Sequence, residues 1–213
     1  MYLKSNDFTE GAVIPVEFAF CGPDPDRHAR FGGNRNPELR WGDVPVGARS
    51  LALICHDPDA PSVGDDVNQE GRTVPADLPR ANFFHWVLVD IPPSLNALEA
   101  GAYSGGVTAG GKSAGPPDSM RHGVNDYTRW FAGDAEMAGE YFGYDGPCPP
   151  WNDSIPHRYR FTLYALDLEE CPVERRFSGP QVLDAIEGHV LASAGLSGLY
   201  SLNPNLPATV TIS

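Results

Sequence analysis

Short apolar runs, several alternating with a period of two, are separated by polar segments dense in proline and glycine, the pattern of a strand-built protein. Ala12 to Phe20 alternates, and Pro15 confines it to a sheet edge or a strand start. Residues 21–38, rich in Gly, Pro and Arg, read as a surface loop, and Leu39 to Pro45 as a short strand ending in a turn. Ser50 to Cys55 is an apolar run of the kind a sheet interior takes. Phe83 to Ile91 is the strongest strand, too apolar on both faces to lie at a surface. Period-two alternation puts His85 on one face with Val87, Val89 and Ile91, and Trp86 and Leu88 on the other. Arg158 to Asp167 alternates again, and extended geometry one residue further back joins His157 and Tyr159 to the face of Phe161 and Leu163.

Helical signal is scarce. Ser178-Gly-Pro-Gln181 has the form of a capping box, and Val182, Ile186, His189 and Val190 follow at helical spacing, which predicts one helix of about three turns. Leu196 to Leu202 reads as a closing strand and 203–213 as a proline-broken tail. Residues 62–82 have no apolar period and form a long insertion, as lids and partner surfaces often do. The glycine-dense stretch 101–145, with Gly115-Pro116-Pro117 inside it, predicts no regular element, so 104–140 counts as a second long loop.

With 213 residues, 23 glycines, 21 prolines and only 20% charged side chains, the expectation is one mainly β domain with long loops. A formal net charge of −13 argues against a nucleic-acid groove or an anchor on acidic lipid, since both gather phosphates with clustered Lys and Arg. A phosphate-bearing ligand must then be held singly in a local pocket. No run is long enough to span a bilayer, and Met1 to Lys4 opens no signal-peptide pattern, so a soluble cytoplasmic protein is expected. Cys21, Cys55, Cys148 and Cys171 are scattered without C-x-x-C spacing, which predicts free thiols in a reducing compartment.

The candidate chemistry lies where strands meet stiff corners. Pro58 and Pro61 donate no backbone hydrogen bond, so the strand beginning at Ser50 is expected to end in a kinked loop that holds Asp57 and Asp59 at its mouth. The plainer reading is that an Asp before proline merely caps a turn. His85, taken alone, is either a satisfied core histidine or the polar floor of a pocket. Gly146 followed by Pro147-Cys148-Pro149-Pro150 is a second rigid corner, where backbone N–H groups can converge on an oxygen anion without basic side chains.

These pieces together make the chain similar to the phosphatidylethanolamine-binding protein family, and more closely to its bacterial Raf-kinase-inhibitor-like branch. The resemblance rests on Asp-Pro-Asp-Ala-Pro (57–61), His-Trp-Val-Leu-Val-Asp-Ile-Pro (85–92), Gly-Tyr-Asp-Gly-Pro-Cys-Pro-Pro (143–150) and His-Arg-Tyr (157–159). It implies a Greek-key β-sandwich-like fold with one or two short helices. It also implies a small pocket for an anion such as phosphate, acetate or a phosphorylethanolamine-like head group. Carried over by motif, the ligand-binding residues are Asp57, Asp59, His85, Gly146, Cys148, Pro149, Pro150, His157 and Tyr159, with no metal and no cofactor. Bacterial relatives imply a possible homodimer. Val63 stands where eukaryotic relatives carry Arg, and Trp151 where they carry Lys after the paired prolines, departures that weaken the transfer of their kinase regulation more than that of the pocket.

The resulting expectation is a non-enzymatic binding protein, with regulation or inhibition of a partner protein such as a kinase as its candidate role. Its rivals are a hydrolase or thiol enzyme using Cys148 with His157 or His85 as base, a metal site from Asp57, Asp59 and His85, and an inhibitor module acting through 62–82 or 104–140. Arg158 alternates away from His157 and Tyr159, so anion binding is expected to be weak.

Overall fold

A computed structural model describes residues 1–115 and 120–206; Pro116 and Pro117 and the tail beyond Leu206 lie outside the described residues. In chain order the strands are β1 (Tyr2–Lys4), β2 (Cys21–Asp24), β3 (His28–Phe31), β4 (Leu39–Gly42), β5 (Ser50–Pro61), β6 (Arg80–Ile91), β7 (Ala97–Leu98), β8 (Arg121–His122), β9 (His157–Leu166) and β10 (Val190–Tyr200). The helices are α1 (Tyr127–Trp130) and α2 (Gly179–Ala185). One antiparallel sheet runs β10-β9-β5-β6-β8, a smaller one runs β1-β4-β7, and β2 and β3 form a separate hairpin. The fold is therefore mainly β, and no helix of the described residues is long and apolar enough to cross a membrane.

The main core lies between the two larger sheets, where Leu3, Leu39 and Trp41 of the small sheet meet Leu53, Trp86, Phe161 and Leu163 of the large one. On the other face of the large sheet, Ile54, Val87 and Val89 pack against Phe177, Val182 and Ile186. A sheet covered on both faces needs apolar residues at odd and even positions alike, which is why β6 reads as a continuous apolar run. Each fully buried Leu or Ile here contributes about 1.5–3 kcal/mol relative to its exposed state.

Bulges decide what faces what. Cys55 pairs with Trp86 while His56 pairs with Phe84, so His85 is an extra residue on β6. The alternation slips there: His85 and Trp86 face the main core, whereas Val87 and Val89 cross to the helix-covered face, against the simple period-two expectation. A second slip between Leu88 and Ile91, where Asp90 takes φ 62°, returns Ile91 to the main core.

The prolines of β5 do not end that strand, as its sequence predicts. It continues to Pro61 because pairing with β9 stops at His56, while pairing with β6 goes on past an irregularity between Asp57 and Ala60. Pro58 thus sits where the ladder is already interrupted.

Several further boundaries differ from expectation. Ala12 to Phe20 forms only an isolated bridge at Val13 and a 3-10 turn over Val16–Phe18, entered through Pro15. The expected loop at 21–38 contains the β2–β3 hairpin, and 101–145 contains β8 and α1. In α2, Gln181 Oε1 accepts the Ser178 backbone N–H at 2.9 Å, as the capping box predicts. The helix covers only Gly179–Ala185, about two turns. Gly188, at φ 80°, reverses the chain, so Val190 opens β10 instead of closing the helix.

The cysteines overturn the free-thiol expectation most directly. Cys21 and Cys148, 127 positions apart, form a disulfide, and Cys55 and Cys171 are buried thiols. Disulfides persist in oxidising surroundings, so the scattered cysteines give no argument for a reducing compartment.

Candidate functional site

Where β5, β6 and β9 end together, a cavity of about 580 Å³ opens beneath the Cys148-Pro149-Pro150 loop. Asp57, His85, His157 and Tyr159 are among its lining, brought there by three strands of one sheet. All four are buried, so their polar atoms must find partners within the protein or in a ligand.

Asp57 is held from two sides. Its Oδ1 accepts the Asp59 backbone N–H at 2.7 Å, and its Oδ2 accepts His157 Nδ1–H at 2.6 Å. The other His157 nitrogen, Nε2, donates to Asp153 Oδ2 at 3.0 Å. Burial would push this imidazole down, but the Asp57 and Asp153 carboxylates outweigh it and raise His157 to about 9. His157 is therefore an imidazolium with both N–H groups engaged on carboxylates, and it fixes Asp57 in place. Arg80 grips Asp153 through Nη1 at 2.6 Å and Nη2 at 3.1 Å, completing a chain of alternating charge behind the cavity.

His85 has the opposite electrostatics. Its Nδ1 donates to the Asp145 carbonyl oxygen at 2.8 Å, and burial pushes its pKa down to about 4. It is neutral near pH 7 with the proton on Nδ1, which leaves Nε2 as an acceptor at the cavity it lines. The Asp145 amide returns a hydrogen bond to the His85 carbonyl at 3.0 Å. The Asp145 carboxylate is itself buried among Asn34, Asn125 and Lys112, so the clasp on His85 is rigid. Burial holds the Tyr159 phenol well above its usual range, a neutral hydroxyl able to donate or accept.

The walls are aromatic. Phe83 lies 4.9 Å from the His85 ring, Tyr159 5.0 Å and Tyr127 5.6 Å, measured between centroids. Phe20 stacks on Tyr127 at 4.5 Å, and the Tyr127 hydroxyl donates to the Gly146 carbonyl at 2.8 Å. At the mouth, Phe31, Val63 and Trp130 are more than half exposed, and Arg27 and Arg129 stand beside them. The disulfide joins β2 to the rim loop, with both cysteines against the cavity.

Seven of the residues singled out from sequence line one cavity: Asp57, His85, Cys148, Pro149, Pro150, His157 and Tyr159. Two do not. Asp59 is turned onto Arg158, accepting its Nε at 2.9 Å and Nη2 at 2.8 Å, an ion pair that holds the Asp59 carboxyl low against its partial burial. Gly146 is packed beneath the rim, where its N–H donates to Asn34 Oδ1 at 2.8 Å. Since Pro147, Pro149 and Pro150 have no N–H, Cys148 alone in 146–150 keeps an amide that can face a ligand, so the expected nest of converging amides does not form there.

The rival chemistries are corrected by the same geometry. Cys148 is bonded to Cys21 and offers no thiolate. Asp59 is engaged with Arg158 and does not join Asp57 and His85, so that carboxylate–histidine metal set is not assembled. Sequence reasoning missed Asp153 and Arg80, which hold His157, and the aromatic walls Phe20 and Tyr127. Phe83 carried a signal, two residues before His85 on the same strand. Tyr127 carried none, since it lies in the glycine-dense stretch.

Comparison with known proteins agrees with this architecture. The sequence model of the family described as "Phosphatidylethanolamine-binding protein" matches residues 4–201. UPF0098 protein YbhB of Escherichia coli is 32% identical, over 94% of this chain and 100% of its own length. A UPF0098 protein of Methanothermobacter thermautotrophicus is 38% identical, over 94% of this chain and 98% of its own. The crystal structure of Escherichia coli YbcL, titled a new member of the mammalian PEBP family, superposes with a TM-score of 0.67 at 28% identity, covering 94% of this chain and 97% of that one.

Proposed function

The chain belongs to the phosphatidylethanolamine-binding protein family, and from that premise we propose that it is a non-enzymatic binding protein for a small acidic head group, phosphate or phosphorylethanolamine in type, attached to an apolar body. The head rests on the floor formed by Asp57, His85 and Tyr159, and the body lies along the aromatic walls. The observation that carries this reading is the division of one cavity into a polar floor and aromatic walls that open to a partly apolar mouth. At about 580 Å³ it has room for far more than an inorganic ion.

A binding role, not a chemical one, is supported by how the polar groups are used. Of the two histidines, His157 has both nitrogens engaged and cannot serve as a general base, while His85 keeps Nε2 free but the thiol it would activate is tied up in the disulfide. The cysteine at the rim is oxidised. Titration of the labelled protein with phosphate and with phosphorylethanolamine tests the reading. Shifts of the His85 ring signals and of the Cys148 amide are expected, and if millimolar ligand moves neither, the head-group reading is wrong.

A further inference from the structure

Two of the three polar groups of the cavity floor are acceptors, and the third, the Tyr159 hydroxyl, can donate or accept. Asp57 presents a carboxylate, and His85, whose Nδ1–H is fixed on the Asp145 carbonyl, presents the lone pair of Nε2. The cations bordering the floor are already matched: His157 lies between Asp57 and Asp153, Arg80 lies on Asp153, and Arg158 lies on Asp59. An unprotonated anion arriving at such a floor finds the Tyr159 hydroxyl as a donor for one oxygen, but its other oxygens meet the His85 lone pair and the Asp57 carboxylate. A buried acceptor facing an acceptor is unfavourable until a proton is placed between them.

We propose that this protein takes up its acidic head group together with one proton from solvent, which settles on His85 Nε2 and is shared with a ligand oxygen. The inference rests on the head-group reading above and adds to it a rule of ionisation: the ligand is held as an ion pair with a histidine that is neutral when the cavity is empty.

The surroundings of His85 are consistent with such a poised group. From β5, the Asp57 charge favours protonation and His56 opposes it; from β9, the His157 cation opposes it and the Tyr159 phenol can assist either state. The Tyr127 ring of α1 stands edge-on to the imidazole, and Cys55 is a buried thiol nearby on β5. Burial is the largest influence and holds the free imidazole at about 4, so the bound anion supplies the missing counter-charge. Arg27 and Arg129, at the mouth, attract an anion whichever state His85 is in. They raise affinity without coupling it to a proton.

The experiment is calorimetric titration with benzenesulfonate, an aryl anion that stays ionised throughout, from about pH 5 to about pH 8 in buffers of different ionisation enthalpy. The expected result is uptake of close to one proton per ligand, with Kd rising about tenfold per pH unit wherever free His85 is neutral and bound His85 charged. The His85 ring nitrogen signals should move from the neutral to the imidazolium pattern on binding. Binding with a flat pH profile and no proton uptake overturns the proposal, and so does uptake with the His85 ring left neutral. His85→Asn should bind with a flat profile; if that variant does not fold, proton uptake and ring signals of the unaltered chain still decide. No binding of benzenesulfonate or phenyl phosphate anywhere in this range would sink the head-group reading itself, a different failure from binding without a proton.

Discussion

Breaking the Cys21–Cys148 disulfide is the perturbation whose size the structure sets most directly. The bridge closes a loop between positions 127 apart, and removing that constraint from the unfolded chain corresponds to about 5 kcal/mol in the chain-entropy treatment. For 213 residues the unfolding entropy near the midpoint is about 0.45 kcal/mol per kelvin, so the full effect lowers Tm by about 10 °C. The folded state loses less, because Cys21 N–H still donates to the Pro147 carbonyl at 3.0 Å and Tyr200 still donates to the Cys21 carbonyl at 2.7 Å. Those bonds, with the proline-stiffened rim, keep the cavity's roof in place. The assay is thermal unfolding of the unaltered chain against the double variant Cys21→Ala and Cys148→Ala, with thiol titration of each. Two reactive thiols in the denatured unaltered chain and four after reduction are expected. Four thiols without reductant, or a double variant melting within about 2 °C of an oxidised parent, would refute the reasoning.

The buried histidines predict a stability maximum near neutral pH. His157, raised to about 9, holds a proton that the unfolded chain releases above about 6.5, so its contribution of about 3 kcal/mol is complete below that pH and is lost as pH rises through about 9. His85 and His122, both lowered to about 4, refuse a proton that the unfolded chain accepts, so stability also falls as pH drops from about 6.5 to about 4. Urea midpoints that stay level from about pH 5 to about pH 9 would contradict both signs. Gly146→Ala should destabilise by about 1–3 kcal/mol, since its Cβ would come 2.1 Å from the Phe18 carbonyl oxygen; an unchanged urea midpoint would show that the rim can move aside. Arg158→Ala should lower stability by about 1–3 kcal/mol, because the buried Asp59 carboxylate loses its guanidinium and keeps only the backbone N–H of residue 158, while leaving benzenesulfonate affinity unchanged; a large loss of affinity would place Asp59 back in the binding site.

Much of the architecture was legible before any coordinates. β9 shows a clean alternation, with Tyr159, Phe161, Leu163 and Ala165 all turned to the main core, because an uninterrupted strand obeys the period of its own backbone. β6 was equally legible as an element but not in its facing, since a one-residue bulge at His85 reverses the side chains that follow until a second slip restores Ile91. A bulge is set by register against the neighbouring strand, and a single strand's pattern does not contain that register. The prolines of β5 misled for the same reason: a residue without an N–H ends a strand only if its neighbour needs that N–H.

By itself, the order of residues determined that the protein is mainly β, that α2 begins at a capping box, and that Asp57, His85, Cys148, the paired prolines, His157 and Tyr159 belong to one place. Only the tertiary structure decided what those groups do there. It bonded Cys148 to Cys21, turned Asp59 outward onto Arg158, made His157 a fully engaged cation and His85 a neutral acceptor, and lined the cavity with Phe20 and Tyr127. The reason is physical: local periodicity follows from backbone dihedrals, which each segment carries with it, whereas charge state and exposure follow from neighbours through space that only folding supplies.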